Sequence, residues 1–330
     1  MRFPIATKPA SPRDHCRLCV IERTTRRWTH RRFFDVKEYL SAGDVLVLNT
    51  SRVIEARVPF SVDGVDYDIL LTAIPTKRVP VRAKLEGRAI KALKRSAGKA
   101  TFAGGRVGAL EVLDFDETDK TFSVRADLPA ELSLLGEMPL PPYIARARKL
   151  AGESRVSASD AEAYQNVYAQ HRGSIAAPTA GLHWTPELLD QVAAQGVDVA
   201  KVVLHIGVAS IMDVTAKDSV PAEWYWVPDA AGVSIAAAKR VVACGTSCVR
   251  TLENWALTGA REAAADIFIR PGHRFAKVGA LLTNFHLPDS THFALTQAFL
   301  GDGLELGKIY EDCVDHDYKF YSYGDAMLIV

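Results

Sequence analysis

Two hydrophobic textures succeed one another along this chain, and their order limits what it can fold into. Near the N-terminus, Asp35-Val36-Lys37-Glu38 reads as a capping box opening a short helix that ends before Gly43, and residues 44–49 then read as a buried strand. From about residue 59 short β-type runs take over, at 67–71, 79–85, 109–113 and 121–125, separated by turn residues. Such runs point to a small all-β barrel or sandwich. After the proline cluster Met138-Pro139-Leu140-Pro141-Pro142-Tyr143 the first texture returns. Thr185 as N-cap, Pro186 at the first helical position, Leu188, Leu189, Val192 and Ala193 on one face and Gly196 as terminator specify a helix, and a strand follows at 199–204. Residues 241–244 lead into a helix capped near Thr246 or Ser247 and ended by Gly259. Residues 267–269 read as a strand, and 280–282 lead to a helix beginning near Ser290. Strand-then-helix order of this kind implies a mainly parallel sheet. The expected architecture is therefore α/β: a discontinuous domain from residues 1–58 and 138–330, interrupted by a small β domain at 59–137.

Composition sets the outer bounds. A length of 330 residues favours two domains over one, and 48% hydrophobic with 24% charged residues is the balance of a globular chain rather than a disordered one. The longest charge-free run, 173–186, has 14 residues and two prolines, short of the roughly 18 that a membrane span needs. No membrane partner is expected. The opening residues, Met1-Arg2-Phe3-Pro4-Ile5-Ala6-Thr7-Lys8, lack the apolar stretch of a signal peptide, which makes the cytoplasm the expected location. Five cysteines, an odd number, do not form a disulfide framework, and Cys16-Arg17-Leu18-Cys19 is a lone pair without a second at metal-site spacing. Reduced thiols and no metal are the expectation.

The net charge of +1 conceals an asymmetry. Between Lys77 and Arg106 lie Lys77, Arg78, Arg82, Lys84, Arg88, Lys91, Lys94, Arg95, Lys99 and Arg106 against the single acid Glu86, a local charge of +9 on an otherwise acidic chain. A field of this size attracts nucleic-acid phosphates, although a solvated lysine-rich surface has the same composition.

Groups able to do chemistry crowd into short segments at the ends of expected strands: Asn49, Thr50, Ser51 and Arg52; Pro178 to His183; His205 and Gly207; Gly245, Thr246, Ser247 and Arg250; Thr283, Asn284, Phe285 and His286. Ligands of α/β folds bind at the carboxyl ends of strands. No dinucleotide, phosphate-loop, zincin or G-x-S-x-G motif is present. His183, His205 and His286 suit proton transfer near neutral pH, though a lone histidine beside an apolar strand is commonly a hydrogen-bonded core residue. Arg250 can simply pair with Glu253 three residues on, and Asn284 can serve only to satisfy a turn.

The segments 177–184 (Ala-Pro-Thr-Ala-Gly-Leu-His-Trp), 204–207 (Leu-His-Ile-Gly), 245–253 (Gly-Thr-Ser-Cys-Val-Arg-Thr-Leu-Glu), 283–288 (Thr-Asn-Phe-His-Leu-Pro) and 323–327 (Tyr-Gly-Asp-Ala-Met) occur in this order. As a set the chain resembles the S-adenosylmethionine:tRNA ribosyltransferase-isomerase family of queuosine biosynthesis, with further matches at 49–57 and 138–144. The resemblance covers nearly the whole chain and is weakest from about 59 to 135. It implies a barrel-like discontinuous α/β domain with an inserted β-barrel. It also implies an activity: moving the ribosyl group of S-adenosylmethionine onto 7-aminomethyl-7-deazaguanine at the tRNA wobble position, with rearrangement to an epoxycyclopentane and release of adenine and methionine. The partners are then the precursor-bearing tRNA and S-adenosylmethionine, a co-substrate, with no prosthetic group and a monomer favoured.

That reaction needs at least two proton-transfer groups, for which His183, His205 and His286 are the candidates, with Glu223 as a carboxylate alternative. Arg250 suits the methionine carboxylate, and Asn284 or Thr246 the ribose hydroxyls. Asn49, Arg52, Thr179, Gly181, Gly207 and Ser247 complete the expected substrate site, and Lys91, Lys94, Arg95 and Lys99 the RNA contact. The chain departs from the family's usual pattern in four places. Ala209-Ser210-Ile211 stands where Gly-Thr-Phe is usual, and the shortened segment before Glu223 lacks a histidine pair. Gly279 replaces an Asp, and the residues before Pro12 are fewer. Two alternatives therefore stand beside the main reading: a paralogue using the same donor on another acceptor, such as a free deazapurine, and a catalytically silent RNA-binding protein.

Overall fold

The computed structural model describes residues 3–72, 81–102, 106–116, 121–126, 136–207 and 220–330. The first strands are β1 (Arg17–Glu22), β2 (Arg27–Arg32), β3 (Asp44–Asn49) and β4 (Ser51–Val53). Between β2 and β3 lies a 3₁₀ helix, Phe33–Tyr39, rather than a helix opened by Asp35. Phe33 is fully buried with its ring edge-on to Trp184, so the turn starts there, and Asp35 accepts the Arg32 N–H at 3.0 Å as the third residue of the helix.

The middle of the chain contributes β5 (Arg57–Val62), β6 (Val65–Leu71), β7 (Val81–Leu85), helix α1 (Gly87–Arg95), β8 (Lys99–Phe102), β9 (Arg106–Asp116) and β10 (Thr121–Ala126). The six strands close into an antiparallel barrel in the order β10-β7-β6-β5-β8-β9. Helix α1 corrects the all-β expectation for this stretch. Ala89, Ala92 and Leu93, at helical spacing, are buried against the barrel, while Arg88, Lys91, Lys94 and Arg95 are exposed. The basic run masked a short amphipathic pattern. Of that run, Lys77 and Arg78 lie outside the described residues, as do residues 79 and 80 of the expected strand. At the barrel's neck the backbones of Arg57 and Glu137 exchange hydrogen bonds of 2.7 and 3.3 Å, so the chain enters and leaves it side by side.

The rest of the chain forms α2 (Pro142–Leu150), α3 (Asp160–Ala163), β11 (His171–Ser174), α4 (Pro186–Ala194), β12 (Asp198–Leu204), β13 (Glu223–Trp226), α5 (Asp229–Ala237), β14 (Arg240–Cys244), α6 (Thr246–Thr258), β15 (Glu262–Ala265), β16 (Ala280–Asn284), α7 (Thr291–Leu300), α8 (Leu306–Asp315) and β17 (Ala326–Ile329). Nine strands from both ends of the chain share one sheet, ordered β15-β13-β12-β3-β14-β16-β17-β1-β2. The fold is thus mixed α/β. β12, β3, β14 and β16 are parallel neighbours, but β13, β15 and β2 join their neighbours antiparallel, as β17 joins β16. The expectation of a mainly parallel sheet holds for its centre and for the β17–β1 pair. Antiparallel pairs also form across helices: α5 and α6 lie between β13 and β15, and α7 and α8 between β16 and β17, so strand-then-helix order does not fix strand direction.

All six residues of β3 are buried, Val45 and Val47 on one face and Leu46 and Leu48 on the other, because helices and loops cover both sides of the sheet. Thr185 Oγ1 accepts the Leu188 N–H at 3.2 Å and Ser290 Oγ that of Phe293 at 3.1 Å, the caps expected of α4 and α7. Ala193 is exposed rather than packed. Residues 267–269 are not a strand. The strand is β15, five residues earlier, where it pairs with β13. Among the described residues no helix is long and apolar enough to cross a membrane.

Candidate active site

At the carboxyl ends of the central parallel strands lies a cavity of about 340 Å³. β14 delivers Gly245 to its edge in a left-handed conformation (φ +93°) that turns the chain into α6. A Cβ there would meet nothing closer than 3.5 Å, so conformation and not space calls for glycine. The first turn of α6 then presents Thr246, Ser247 and Arg250, with the positive end of the helix dipole towards the cavity. β16 supplies Thr283 and Asn284, and the segment after it Phe285 and His286. Thr179, Tyr143, Tyr164, Tyr321, Ser322, Glu223 and His292 complete the wall.

His286 is the one expected histidine that lines this cavity. Its Nε2 lies 2.8 Å from Thr283 Oγ1, its backbone N–H donates to the Tyr310 hydroxyl at 2.8 Å, and its ring stacks on His292 at 5.2 Å. Burial and the neighbouring His292 hold His286 well below the usual imidazole range. Burial and the Arg250 charge bring His292 down to about 4. Both rings are therefore neutral near pH 7 and able to accept a proton.

His183 and His205 stand elsewhere. His183 sits behind the wall, its Nε2 3.1 Å from Asn284 Nδ2, its Nδ1 3.2 Å from Cys16 Sγ and its ring against Phe33. Burial, with a smaller push from Arg13, lowers it to about 3. An Asn284 amide that donates to His183 Nε2 leaves Nδ1 protonated and directed at the sulfur. Asn284 Nδ2 also donates to the Tyr321 carbonyl at 3.2 Å, while Oδ1, buried in a lining residue, has no partner. His183 thus helps to fix the orientation of the Asn284 amide. His205 bonds Ser51 Oγ at 2.7 Å and stacks on Trp224, outside the cavity lining.

Glu223 and Arg250 both line the cavity, and they bind each other. Glu223 Oε1 accepts the Gly207 N–H at 2.7 Å, and Oε2 forms an ion pair with Arg250 Nη1. Arg250 Nη2 donates to the carbonyls of Ala265 (2.6 Å) and Pro221 (3.2 Å), and its buried Nε has no partner. The pairing of Arg250 with Glu253 does not occur. Glu253 instead accepts three backbone N–H groups, from Ala276, Lys277 and Val278, at 2.8–3.0 Å.

Among the other expected residues, Thr179, Thr246, Ser247 and Asn284 line the cavity, while Asn49, Arg52, Gly181 and Gly207 do not. Asn49 is wholly buried and satisfied: Oδ1 accepts from Ser51 N and Leu204 N, and Nδ2 donates to Leu204 O and Ser247 Oγ. It ties β3 to β12 and to α6. Arg52 lies on β4 opposite Arg172 of β11. A Cβ on Gly181 would fall 2.0 Å from the Tyr168 hydroxyl, so close packing demands glycine there. Lys91, Lys94, Arg95 and Lys99 are exposed on the barrel's helix and the strand after it, away from the cavity. Residues 208–219, which include Ala209-Ser210-Ile211 and the first part of the segment ahead of Glu223, lie outside the described residues.

Sequence reasoning missed His292 and the tyrosines. The spacing of six residues between His286 and His292, with a helix start between them, was the available signal for the first. Tyr143 stood inside a matched segment; its hydroxyl meets Ser322 Oγ at 2.5 Å. Among the described residues, no group of three or more potential metal ligands lines the cavity, although two such groups stand around His30.

Comparison with known proteins gives a consistent result. The family described as queuosine biosynthesis protein matches residues 3–329. The S-adenosylmethionine:tRNA ribosyltransferase-isomerase of Moorella thermoacetica is 40% identical over 352 residues, covering 99% of this chain and 96% of the relative. That of Rubrobacter xylanophilus is 39% identical, over 99% and 94%. The crystal structure of S-adenosylmethionine tRNA ribosyltransferase from Thermotoga maritima superposes with a TM-score of 0.55 at 31% identity, covering 100% of this chain and 99% of that one. On identity sustained along its whole length, the chain belongs to the queuosine biosynthesis protein family.

Proposed function

We propose that this protein transfers and isomerises the ribosyl group of S-adenosylmethionine onto 7-aminomethyl-7-deazaguanine at the tRNA wobble position, giving epoxyqueuosine and releasing adenine and methionine. The observation that carries the reading is the stacked pair of neutral imidazoles, His286 and His292, on the wall of a cavity that also carries the Arg250–Glu223 pair, Asn284, hydroxyls and aromatic rings. The sulfonium of S-adenosylmethionine acidifies its C5′ hydrogens, and a neutral imidazole held by Thr283 is a base suited to removing one. The imidazolium so formed is the acid available to the departing adenine. Tyr143, Phe285 and Tyr321 offer ring faces to a purine, and the unpartnered Asn284 Oδ1 accepts a ribose hydroxyl. Arg250, braced by Glu223, keeps its Nε–H for the methionine carboxylate. His183 and Asn49 act as positioning residues, and His205 lies a layer outside.

In this proposal residues 1–58 and 138–330 form the barrel-like catalytic domain, and 59–137 an inserted domain whose Lys91, Lys94, Arg95 and Lys99 hold the tRNA backbone. The reaction needs S-adenosylmethionine only as co-substrate and proceeds in the cytoplasm, a compartment in which five buried thiols remain reduced. The test is incubation with S-adenosylmethionine and precursor-bearing tRNA, followed by mass spectrometry of the nucleosides and measurement of adenine. Epoxyqueuosine formed in step with adenine supports the reading. Adenine release with free deazapurine alone, or no release at all, overturns it.

A further inference from the structure

Outside the cavity lining, three chain segments bring metal-binding side chains together. Cys19 of β1 and His30 of β2 are directly opposed across the antiparallel ladder, and Cys313 of α8 packs onto them. One donor atom from each lies within 4.8 Å of the other two. Asp312 and His316 sit beside them: Asp312 Oδ2 is 3.1 Å from His30 Nε2 and accepts the Trp28 indole N–H at 2.7 Å, and the His316 ring stacks on that of His30 at 3.9 Å. A carboxylate on one ring nitrogen of a histidine is the arrangement that fixes the orientation of metal-binding imidazoles. The Tyr318 hydroxyl lies 3.1 Å from Nδ1.

We propose that Cys19, Cys313 and His30 form a structural binding site for a soft divalent cation, zinc above all, with Asp312 orienting His30. Two thiolates and an imidazole are the donor set that selects zinc over the harder magnesium and calcium. Donors held about 2.0–2.3 Å from a central ion stand roughly 3.3–3.8 Å apart, so the observed spread closes with shifts of about an ångström. Both cysteines are fully buried, whereas the side chains of His30 and Asp312 are 25% and 33% exposed, which opens a path for the ion. A disulfide between the two thiols has no use for the imidazole and carboxylate gathered beside them. On binding, each thiol gives up its proton to solvent and the ion takes the two sulfur lone pairs, with no change of oxidation state. Cys16, three residues before Cys19 and pointing to the opposite face of the sheet, bonds His183 instead and takes no part.

The consequence reaches the cavity through α8. Cys313 lies one turn beyond Tyr310, whose hydroxyl holds the His286 backbone N–H. An ion at Cys313 pins the helix that carries Tyr310 to the β1–β2 hairpin.

The experiment is zinc analysis of the full-length protein, purified in reducing buffer, loaded with zinc sulfate and dialysed against zinc-free buffer. Wild type and Cys16→Ser are expected to keep about one zinc per chain. The Cys19→Ser, Cys313→Ser double variant is expected to lose it, and His30→Ala to bind zinc at least about tenfold more weakly. Cobalt(II) added to the unaltered protein is expected to give a thiolate-to-cobalt charge-transfer band, a readout independent of whether any variant folds. No retained zinc and no such band in wild type overturn the proposal, as does a band that survives in the double variant. Formation of a Cys19–Cys313 disulfide under mild oxidation in a protein that ignores both metals also overturns it.

Discussion

Replacing Glu223 by Gln tests whether the ion pair with Arg250 is a built part of the site. The two side chains are 6% and 13% exposed, so each charge is largely withdrawn from water and stabilised by the other. Gln can still accept the Gly207 N–H through its carbonyl oxygen, but its amide then turns a donor towards Arg250 Nη1, which is also a donor. Removing one partner of a buried pair costs about 3–5 kcal/mol. Arg250 keeps the Ala265 and Pro221 carbonyls, which lowers the expectation to about 2–3 kcal/mol, the scale of a lost hydrogen bond between charged groups. At about 1.4 °C per kcal/mol for a chain of 330 residues, the melting point falls by about 3–4 °C. All five tryptophans, Trp28, Trp184, Trp224, Trp226 and Trp255, lie outside residues 57–126, so intrinsic fluorescence follows the nine-stranded body and not the barrel. Lys308→Gln is the matched control within the same body: its pair with Glu305 is more than half exposed on both sides, and solvent screening leaves it worth a few tenths of a kcal/mol at most. Glu223→Gln together with Arg250→Met, which removes the orphaned charge, is expected to cost less than the sum of the single changes. A Glu223→Gln shift no larger than that of Lys308→Gln, or strict additivity in the cycle, refutes the reasoning.

His286→Ala and His292→Ala are each expected to lower turnover by about 10²–10⁴ in the nucleoside assay while the fold persists, and near-normal turnover in either returns that ring to a packing role. Stability depends on pH because His183 and His292 have folded values near 3 and 4, below the ordinary 6.5: between these limits the unfolded chain binds more protons. The melting point should therefore fall as pH drops from about 6.5 towards 4, and His292→Asn should flatten that fall; a flat profile in wild type contradicts both shifts. Changing Lys91, Lys94, Arg95 and Lys99 together to Ala should weaken tRNA binding and reduce the salt slope by about 0.7–0.9 per lost phosphate contact, with S-adenosylmethionine binding unaffected. Wild-type affinity and slope in that variant mark the basic face as solvated surface only.

Elements whose signals are local were legible without a structure. Thr185 and Ser290 cap the helices they precede, Gly259 ends α6 in a left-handed conformation, and β3 reads as a strand buried on both faces, because capping and apolar runs depend on neighbours a few residues away. The crowding of polar residues at strand ends likewise located the cavity, since strands of one sheet deliver their carboxyl ends to one place. Helix α1 escaped notice because it is only nine residues long and its cations were read as a charged run, although Ala89, Ala92 and Leu93 fall on one face opposite them. What only the tertiary structure decided is which of several equivalent side chains face the same space. His183, His205 and His286 have the same chemistry and similar local settings, yet only His286 lines the cavity, because Asn284, Ser51 and Thr283 claim the rings in three different ways. Arg250 pairs with Glu223 and not with Glu253, and Cys19 meets Cys313 and not Cys16, because packing of segments far apart in sequence sets these distances. Spacing along the chain governs hydrogen bonds within a turn or a strand, while burial and long-range contact choose among the candidates it offers.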